Sequence, residues 1–290
     1  MKISTKYPII LVKDVEYAYP NKTLALRGID LSIFKGELVA IMGKNGAGKS
    51  TLIRTFNGLI RPSKGDIFIK GQNAKKKTIA GLSSEIGVIF QNPLHQLFSN
   101  TLEDEIKFSL NNLNLDENEI EKRINATLNL FNLDKYRNRS PLNLSGGETK
   151  KLAIATMICR DPEILVFDEP TLGQDAKEIK FFINLVKNEL SKGKTIVIVT
   201  HNIEFTMEYI PRVILMSEGK IIADGPTKEV LSKELLINES SLILPKLYEF
   251  NIALNQIGIY SSENIRSKKQ LLEFLKDFLK NKPESMQEGI

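Results

Sequence analysis

Eight consecutive residues, Gly43-Lys44-Asn45-Gly46-Ala47-Gly48-Lys49-Ser50, set glycines, a lysine and a hydroxyl at the spacing of a phosphate-binding loop. Glycine at such positions lets successive backbone N–H groups turn inward around a phosphate, where a side chain would block the approach. Lys49 would bring a full charge to the terminal phosphates of a nucleotide, and the Ser50 hydroxyl could ligate Mg²⁺. A second handle for the cation lies in Ile164-Leu165-Val166-Phe167-Asp168-Glu169, an apolar run that ends in two carboxylates. Asp168 would hold Mg²⁺, directly or through water. Glu169 would act as general base on the attacking water, a role worth roughly 10²–10⁴ in rate. On its own such an ending is also a common structural feature; beside the loop it points to nucleotide hydrolysis.

These side chains need elements to hold them. Residues 37–42 form a compact apolar run before the loop and read as a strand, and 49–56 after it read as a helix. The start of that helix would add partial positive charge at the phosphates. The rest of the first third reads as short strands broken by turn residues, with Leu31 and Ile33 on one face and Ile67 and Ile69 on another. Ile120, Ile124, Thr127, Leu128 and Phe131 recur at helical spacing, and a further helix is expected over 147–159. Strands at 164–167 and 195–200 flank a helix at 176–190, a unit suited to a parallel sheet. Residues 212–216 and 220–223 should pair across Ser217-Glu218-Gly219.

From about residue 233 the pattern is again helical. Leu247, Phe250, Leu254 and Ile257 share one face, and Ser267-Lys268-Lys269-Gln270 has the form of a capping box ahead of Leu271, Phe274, Leu275 and Phe278. This segment suits a helical hairpin packed on its own domain, or a dimer contact. The tail, 281–290, is expected to be disordered.

At 290 residues the chain has room for two domains, or for one with an appendage. Its 42% hydrophobic and 26% charged residues are the balance of a folded soluble protein, and a net charge of +5 does not call for a nucleic-acid partner. A single cysteine, Cys159, excludes an internal disulfide and a zinc site of several thiolates. The first residues are too soon interrupted by charge for a signal peptide, and no run approaches a membrane helix. A cytoplasmic protein that could sit against a membrane partner is expected.

Between the loop and the carboxylates lies Leu144-Ser145-Gly146-Gly147-Glu148. Here the chain resembles, over residues 8–230, the ATPase subunits of ATP-binding-cassette (ABC) proteins, whose signature is LSGGQ. Gln91 after the strand 87–90, the Asp175 loop and His201 after 195–200 complete the order of motifs. The resemblance implies an α/β, P-loop NTPase fold of ABC ATPase type: a parallel-sheet core with an antiparallel β subdomain and a helical subdomain at about 92–162. The ATPase domain would span 1–232, followed by a C-terminal helical extension over 233–290.

It also implies roles. Tyr19 would stack on adenine, or else simply pack. Gly43, Asn45, Gly46, Ala47, Gly48, Lys49, Ser50 and Thr51 would surround the phosphates of ATP. Ser50, Gln91 and Asp168 would serve Mg²⁺, with Gln91 also touching the attacking water, and His201 would bond the γ-phosphate. Ser145, Gly146 and Gly147 would contact ATP on an opposing subunit, and Asp175 would reach across the dimer. Two departures stand out: Glu148 replaces the commoner Gln, and Gln174 precedes Asp175 where Leu is frequent.

The stretch Phe90-Gln91-Asn92-Pro93-Leu94-His95-Gln96-Leu97-Phe98, with Thr101-Leu102-Glu103-Asp104-Glu105, looks like its counterpart in energy-coupling-factor transporter ATPases; so does Leu244-Pro245 with the helix after it. That likeness implies a second ATPase subunit, identical or paralogous, a transmembrane coupling subunit with a helix near residues 91–98, and a membrane substrate-binding protein. The cargo would be a vitamin or a transition-metal ion, and the chain would sit peripherally on the cytoplasmic side of the cell membrane. His95 is read as a solvated loop residue. The alternative is a soluble single-cassette ATPase in macromolecular assembly, for example of iron–sulfur clusters.

Overall fold

The computed structural model describes residues 7–92, 96–242, 246, 249–250, 253–254 and 268–280. It divides into two compact units, Met1–Ser241 and Leu242–Ile290. The first unit begins with β1 (Pro8–Ala18), β2 (Leu24–Phe34), β3 (Leu38–Met42), α1 (Lys49–Phe56), β4 (Lys64–Ile69), β5 (Gln72–Asn73), α2 (Ile79–Glu85) and β6 (Ile86–Ile89). Three helices follow: α3 (Leu102–Leu110), α4 (Glu117–Leu130) and α5 (Gly146–Ile158). The chain then re-enters the sheet through β7 (Ile164–Asp168), α6 (Ala176–Ser191), β8 (Thr195–Val199) and α7 (Ile203–Tyr209). It closes with β9 (Arg212–Ser217), β10 (Lys220–Pro226), α8 (Thr227–Val230) and α9 (Glu234–Glu239).

The larger sheet has the order β10-β9-β3-β8-β7-β6, parallel except for β10 at its edge. Every residue of β6, β7 and β8 is buried. Their apolar runs are continuous rather than alternating because both faces of a parallel sheet are covered. The neighbouring strands β3, β8 and β7 end side by side, so the phosphate loop, His201 and the Asp168-Glu169 pair all leave the sheet at its carboxyl end. Ligands of open α/β sheets bind outside such carboxyl ends.

The smaller sheet, β2-β1-β4-β5, is antiparallel. β1 and β2 each run for 11 residues, longer than the short strands expected from the sequence. Bulges account for the difference. Asp14 takes a positive φ of 46° where the pairing of β1 shifts between Val12 and Val15. A Cβ at the facing Gly65 would stand 2.2 Å from Asp14 O, so only glycine fits against the bulge. Ile10, Ile33 and Ile69 of this sheet share one core cluster with Val39, Leu52, Phe56 and Val166. α1, whose first residues are Lys49 and Ser50, is thereby fixed between the two sheets.

The helices α3, α4 and α5 pack on one another. Ile124, Thr127, Leu128 and Phe131 are buried as their spacing predicts, and Phe131 meets Phe181 edge-on at 5.6 Å. The expected hairpin of β9 and β10 turns through Glu218 and Gly219, both at positive φ. Gly219 N donates to Ala47 O at 3.1 Å, so the turn leans on the phosphate loop.

Where the sequence placed a boundary after 232, the compact units divide at 241, and α9 belongs to the first. Lys44 N donates to Ser240 O at 3.0 Å and Ser217 Oγ to Glu239 O at 2.9 Å, which ties the end of α9 to the cassette. In the second unit, α10 (Lys268–Lys280) carries Leu271, Phe274, Leu275 and Phe278, with the two phenylalanine rings stacked at 6.0 Å. Phe250 and Leu254 are helical. The expectations for Pro93-Leu94-His95, Leu244-Pro245, Leu247, Ile257, Ser267 and the tail fall outside the described residues.

Candidate nucleotide site

The loop after β3 is packed so closely that two of its glycines admit no Cβ. At Gly43, φ 147°, an added Cβ would lie 2.1 Å from Met216 O; at Gly48, φ 99°, it would lie 2.5 Å from Ala25 O. Asn45 and Gly46 face solvent, while Ala47, Gly48 and Lys49 are buried. The Lys49 ammonium donates to Gly43 O at 2.7 Å and Lys44 O at 2.9 Å. Burial pushes its pKa down, and the nearby Glu169 and Asp168 carboxylates oppose that shift. The loop therefore concentrates positive charge without exposing it broadly.

Ser50 Oγ donates to Asp168 Oδ2 at 3.0 Å, joining the start of α1 to the end of β7. Asp168 is buried, and desolvation raises its pKa against the Ser50 hydrogen bond, which lowers it. A buried carboxylate beside a hydroxyl is a hard oxygen donor set, and it suits a divalent cation such as Mg²⁺. Gln91 is exposed and shares with Ser50, Arg54, Gln96 and Asp168 the wall of a cavity of about 540 Å³.

Glu169, next along the chain, stands in the left-handed region at φ 50°. Its amide donates to Val199 O at 2.8 Å. Its Oε1 meets His201 Nδ1 at 2.7 Å, and its Oε2 accepts from Thr200 Oγ1 at 3.2 Å. The carboxylate is thus held at the end of β8, with the His201 ring half-exposed beside it. Such a Glu–His pair can take a proton from a water and share the charge. Tyr19, half-buried, places its hydroxyl 2.9 Å from Thr51 Oγ1 on α1 and its ring edge-on to Tyr17 at 5.1 Å.

Ser145 caps α5 in a reciprocal box with Glu148. Glu148 Oε2 accepts from Ser145 N at 3.0 Å and from Ser145 Oγ at 2.8 Å. These bonds, the backbone one foremost, hold the Glu148 carboxyl down to about 2. Glutamate in place of the usual glutamine therefore gives the helix start a charged cap, favoured at the positive end of the dipole. Asp175 and Glu178 form a second such box at the start of α6. The two helix starts touch: a Cβ at Gly147 would lie 2.0 Å from Glu178 Oε1. None of the described hydrogen bonds joins Ser145, Gly146 or Gly147 to the phosphate loop of the same chain.

Residues 26–172 match the ABC transporter family. The energy-coupling factor transporter ATP-binding protein EcfA of Methanocaldococcus jannaschii is 38% identical over 250 residues, which cover 86% of this chain and 90% of that protein. This chain belongs to the ABC transporter family. Its cassette superposes on cbiO1 from Clostridium perfringens, described as part of the ABC transporter complex cbiONQ, with a TM-score of 0.71 and 35% identity. That likeness covers 84% of this chain and 98% of the other. A dimeric ATP-binding cassette in a post-hydrolysis state with ADP and Pi matches with a TM-score of 0.69 and 27% identity, over 75% of this chain and 98% of that one. The chain is an ATP-hydrolysing cassette of the energy-coupling-factor type.

Three further side chains make contacts to which the sequence gave no role. Lys150 of α5, buried, donates to Glu169 O at 3.2 Å and Leu172 O at 3.0 Å. Gln96 extends β6 with its side chain, accepting from Phe90 N and donating to Val88 O, each at 3.2 Å. Buried Glu105 accepts the amides of Phe98 and Ser99. Thr200 alone carried a local signal, as the hydroxyl between a buried strand and His201.

Proposed function

We propose that this ATPase powers an energy-coupling-factor importer, closing with a second cassette on ATP and releasing it by hydrolysis, in order to take up a vitamin or a transition-metal ion. The observation that carries the hydrolytic part is the Glu169 carboxylate, clamped between Thr200 and His201 one residue from the Ser50–Asp168 pair. Ser50, Asp168 and Gln91 would hold Mg²⁺, which neutralises phosphate charge when bound. Lys49 and the loop amides bind the phosphates, and Tyr19 lies at the mouth of α1 where adenine would rest. Glu169 accepts the proton of the attacking water, and His201 orients the water and the γ-phosphate.

Ser145, Gly146 and Gly147 present a helix start as an anion site. They act on the nucleotide of an opposing cassette, with Asp175, at the helix start that Gly147 meets through Glu178, beside that interface. Energy from closure then passes to a transmembrane coupling subunit docked near Gln91, while a membrane protein binds the cargo. Among the described residues no helix is long and apolar enough to cross a membrane, so the reading has the chain held peripherally, on the cytoplasmic face, by such partners. The test is Glu169→Gln with MgATP: turnover should fall by about 10²–10⁴ while ATP still binds and a stable dimer sediments. Undiminished turnover defeats the reading, and so do lone protomers when the chain is tested both alone and with a paralogous cassette.

A further inference from the structure

Glu169 is a bulky residue in a left-handed conformation, φ 50°, which side chains rarely adopt and which surrounding structure must impose. Its backbone is gripped on both sides. The amide donates to Val199 O of β8 at 2.8 Å, and the carbonyl accepts from Lys150 Nζ at 3.2 Å. Lys150 reaches there from α5 and also donates to Leu172 O at 3.0 Å, so one ammonium fixes both ends of the turn 169–172. Buried lysines are costly unless their donors are used; here two donors are spent on this turn, on carbonyls that no sheet or helix ladder claims. The charges facing Lys150 are Glu169 itself and Glu178 of α6.

We propose that Lys150 is a positioning residue for hydrolysis: it holds the backbone turn after β7 so that the Glu169 carboxylate stays between Thr200 Oγ1 and His201 Nδ1. This rests on the reading of Glu169 as general base. Without the ammonium, the Glu169 carbonyl keeps only the Leu172 amide at 3.3 Å, the Leu172 carbonyl loses its lysine donor, and the turn is held less firmly in its left-handed form. The carboxylate, carried by that turn, then swings off the water it must deprotonate. Binding of ATP, which depends on the phosphate loop and α1, is untouched.

The experiment compares steady-state ATP hydrolysis by the full chain with Lys150→Met, Lys150→Gln, Glu169→Gln and the double variant Lys150→Met with Glu169→Gln. Methionine keeps the stem and removes the donors; glutamine restores an N–H donor. Lys150→Met should lower kcat by about tenfold to a hundredfold, the scale of a misplaced catalytic group, with KM for ATP changed less than about twofold. Lys150→Gln should recover part of the loss. In the Glu169→Gln background, Lys150→Met should cost nothing further, since the group it positions is already disabled.

A normal kcat in Lys150→Met beside a crippled Glu169→Gln overturns the positioning role and leaves the base assignment standing. A full multiplicative loss in the double variant also overturns it, because Lys150 would then act elsewhere. Undiminished turnover in Glu169→Gln alone overturns the base assignment, and the role of Lys150 with it. Should Lys150→Met fail to fold, Lys150→Leu, which also lacks the donors, takes its place in the same comparison.

Discussion

Glu105 lies in the first turn of α3 and is 2% exposed. One of its oxygens, Oε2, accepts the amides of Phe98 at 2.9 Å and Ser99 at 2.7 Å, pinning the stretch between Gln96 and α3. Leucine at this position would fill similar space and accept nothing. Two amides would lose a charged acceptor; each costs about 1–3 kcal/mol when buried, and the half-exposed loop puts both near the low end. Glu105→Leu should therefore lose about 2–3 kcal/mol, and Glu105→Gln, which keeps an oxygen in place, about 1 kcal/mol or less. Urea unfolding with an unchanged slope would read the difference, and amide exchange at Phe98 and Ser99 should accelerate only in the leucine variant. A leucine variant within about 0.5 kcal/mol of the parent, with both amides still protected, would refute the account.

Glu148 titrates at about 2 rather than 4.5, so its folded pKa is depressed; its capping contribution is present above the unfolded value and fades as pH falls through about 2. An NMR titration of its side chain with a midpoint in the ordinary carboxylate range would remove the cap from the explanation. Burial pushes the Cys159 thiol up to about 12 from 9.0, so stability should erode as pH climbs through that window, where only the unfolded chain gives up the proton. The native protein should resist a thiol reagent at mildly alkaline pH, and rapid labelling would contradict the burial. Ser145→Ala should cost about 1 kcal/mol of stability as a lost cap. It should also impair hydrolysis while leaving ATP affinity of the single chain intact; a large loss of that affinity would place the signature on its own chain's nucleotide.

What the sequence made legible was whatever lay close along the chain. The spacing from Gly43 to Ser50 is a local pattern, and so are the apolar runs that end at Asp168 and His201; the fold they implied is the fold observed. Their meeting, Ser50 with Asp168 and Glu169 with His201, comes from β3, β8 and β7 running parallel in one sheet with their carboxyl ends together. Lys150 and Glu178 were not legible because each meets backbone or glycine at a distance set by helix packing, and Gln96 and Glu105 because they serve irregular backbone that has no periodicity to read. In the sequence Lys150 reads as one of two ordinary lysines on a helix. The length of β1 was obscured by its bulge at Asp14, where a charged residue interrupts the alternation although pairing continues. The link from Ser240 to Lys44 passes through main-chain atoms, which carry no side-chain signature, so the sequence offered nothing to tie α9 to the phosphate loop.

That link has a practical bearing on where the protein can be cut. Glu239 and Ser240 offer their carbonyls to Ser217 and to the second residue of the phosphate loop, acting as a splint laid across the base of the cradle. A chain shortened to residue 241 keeps the splint, whereas one trimmed to 232 discards it and leaves the Lys44 amide to solvent.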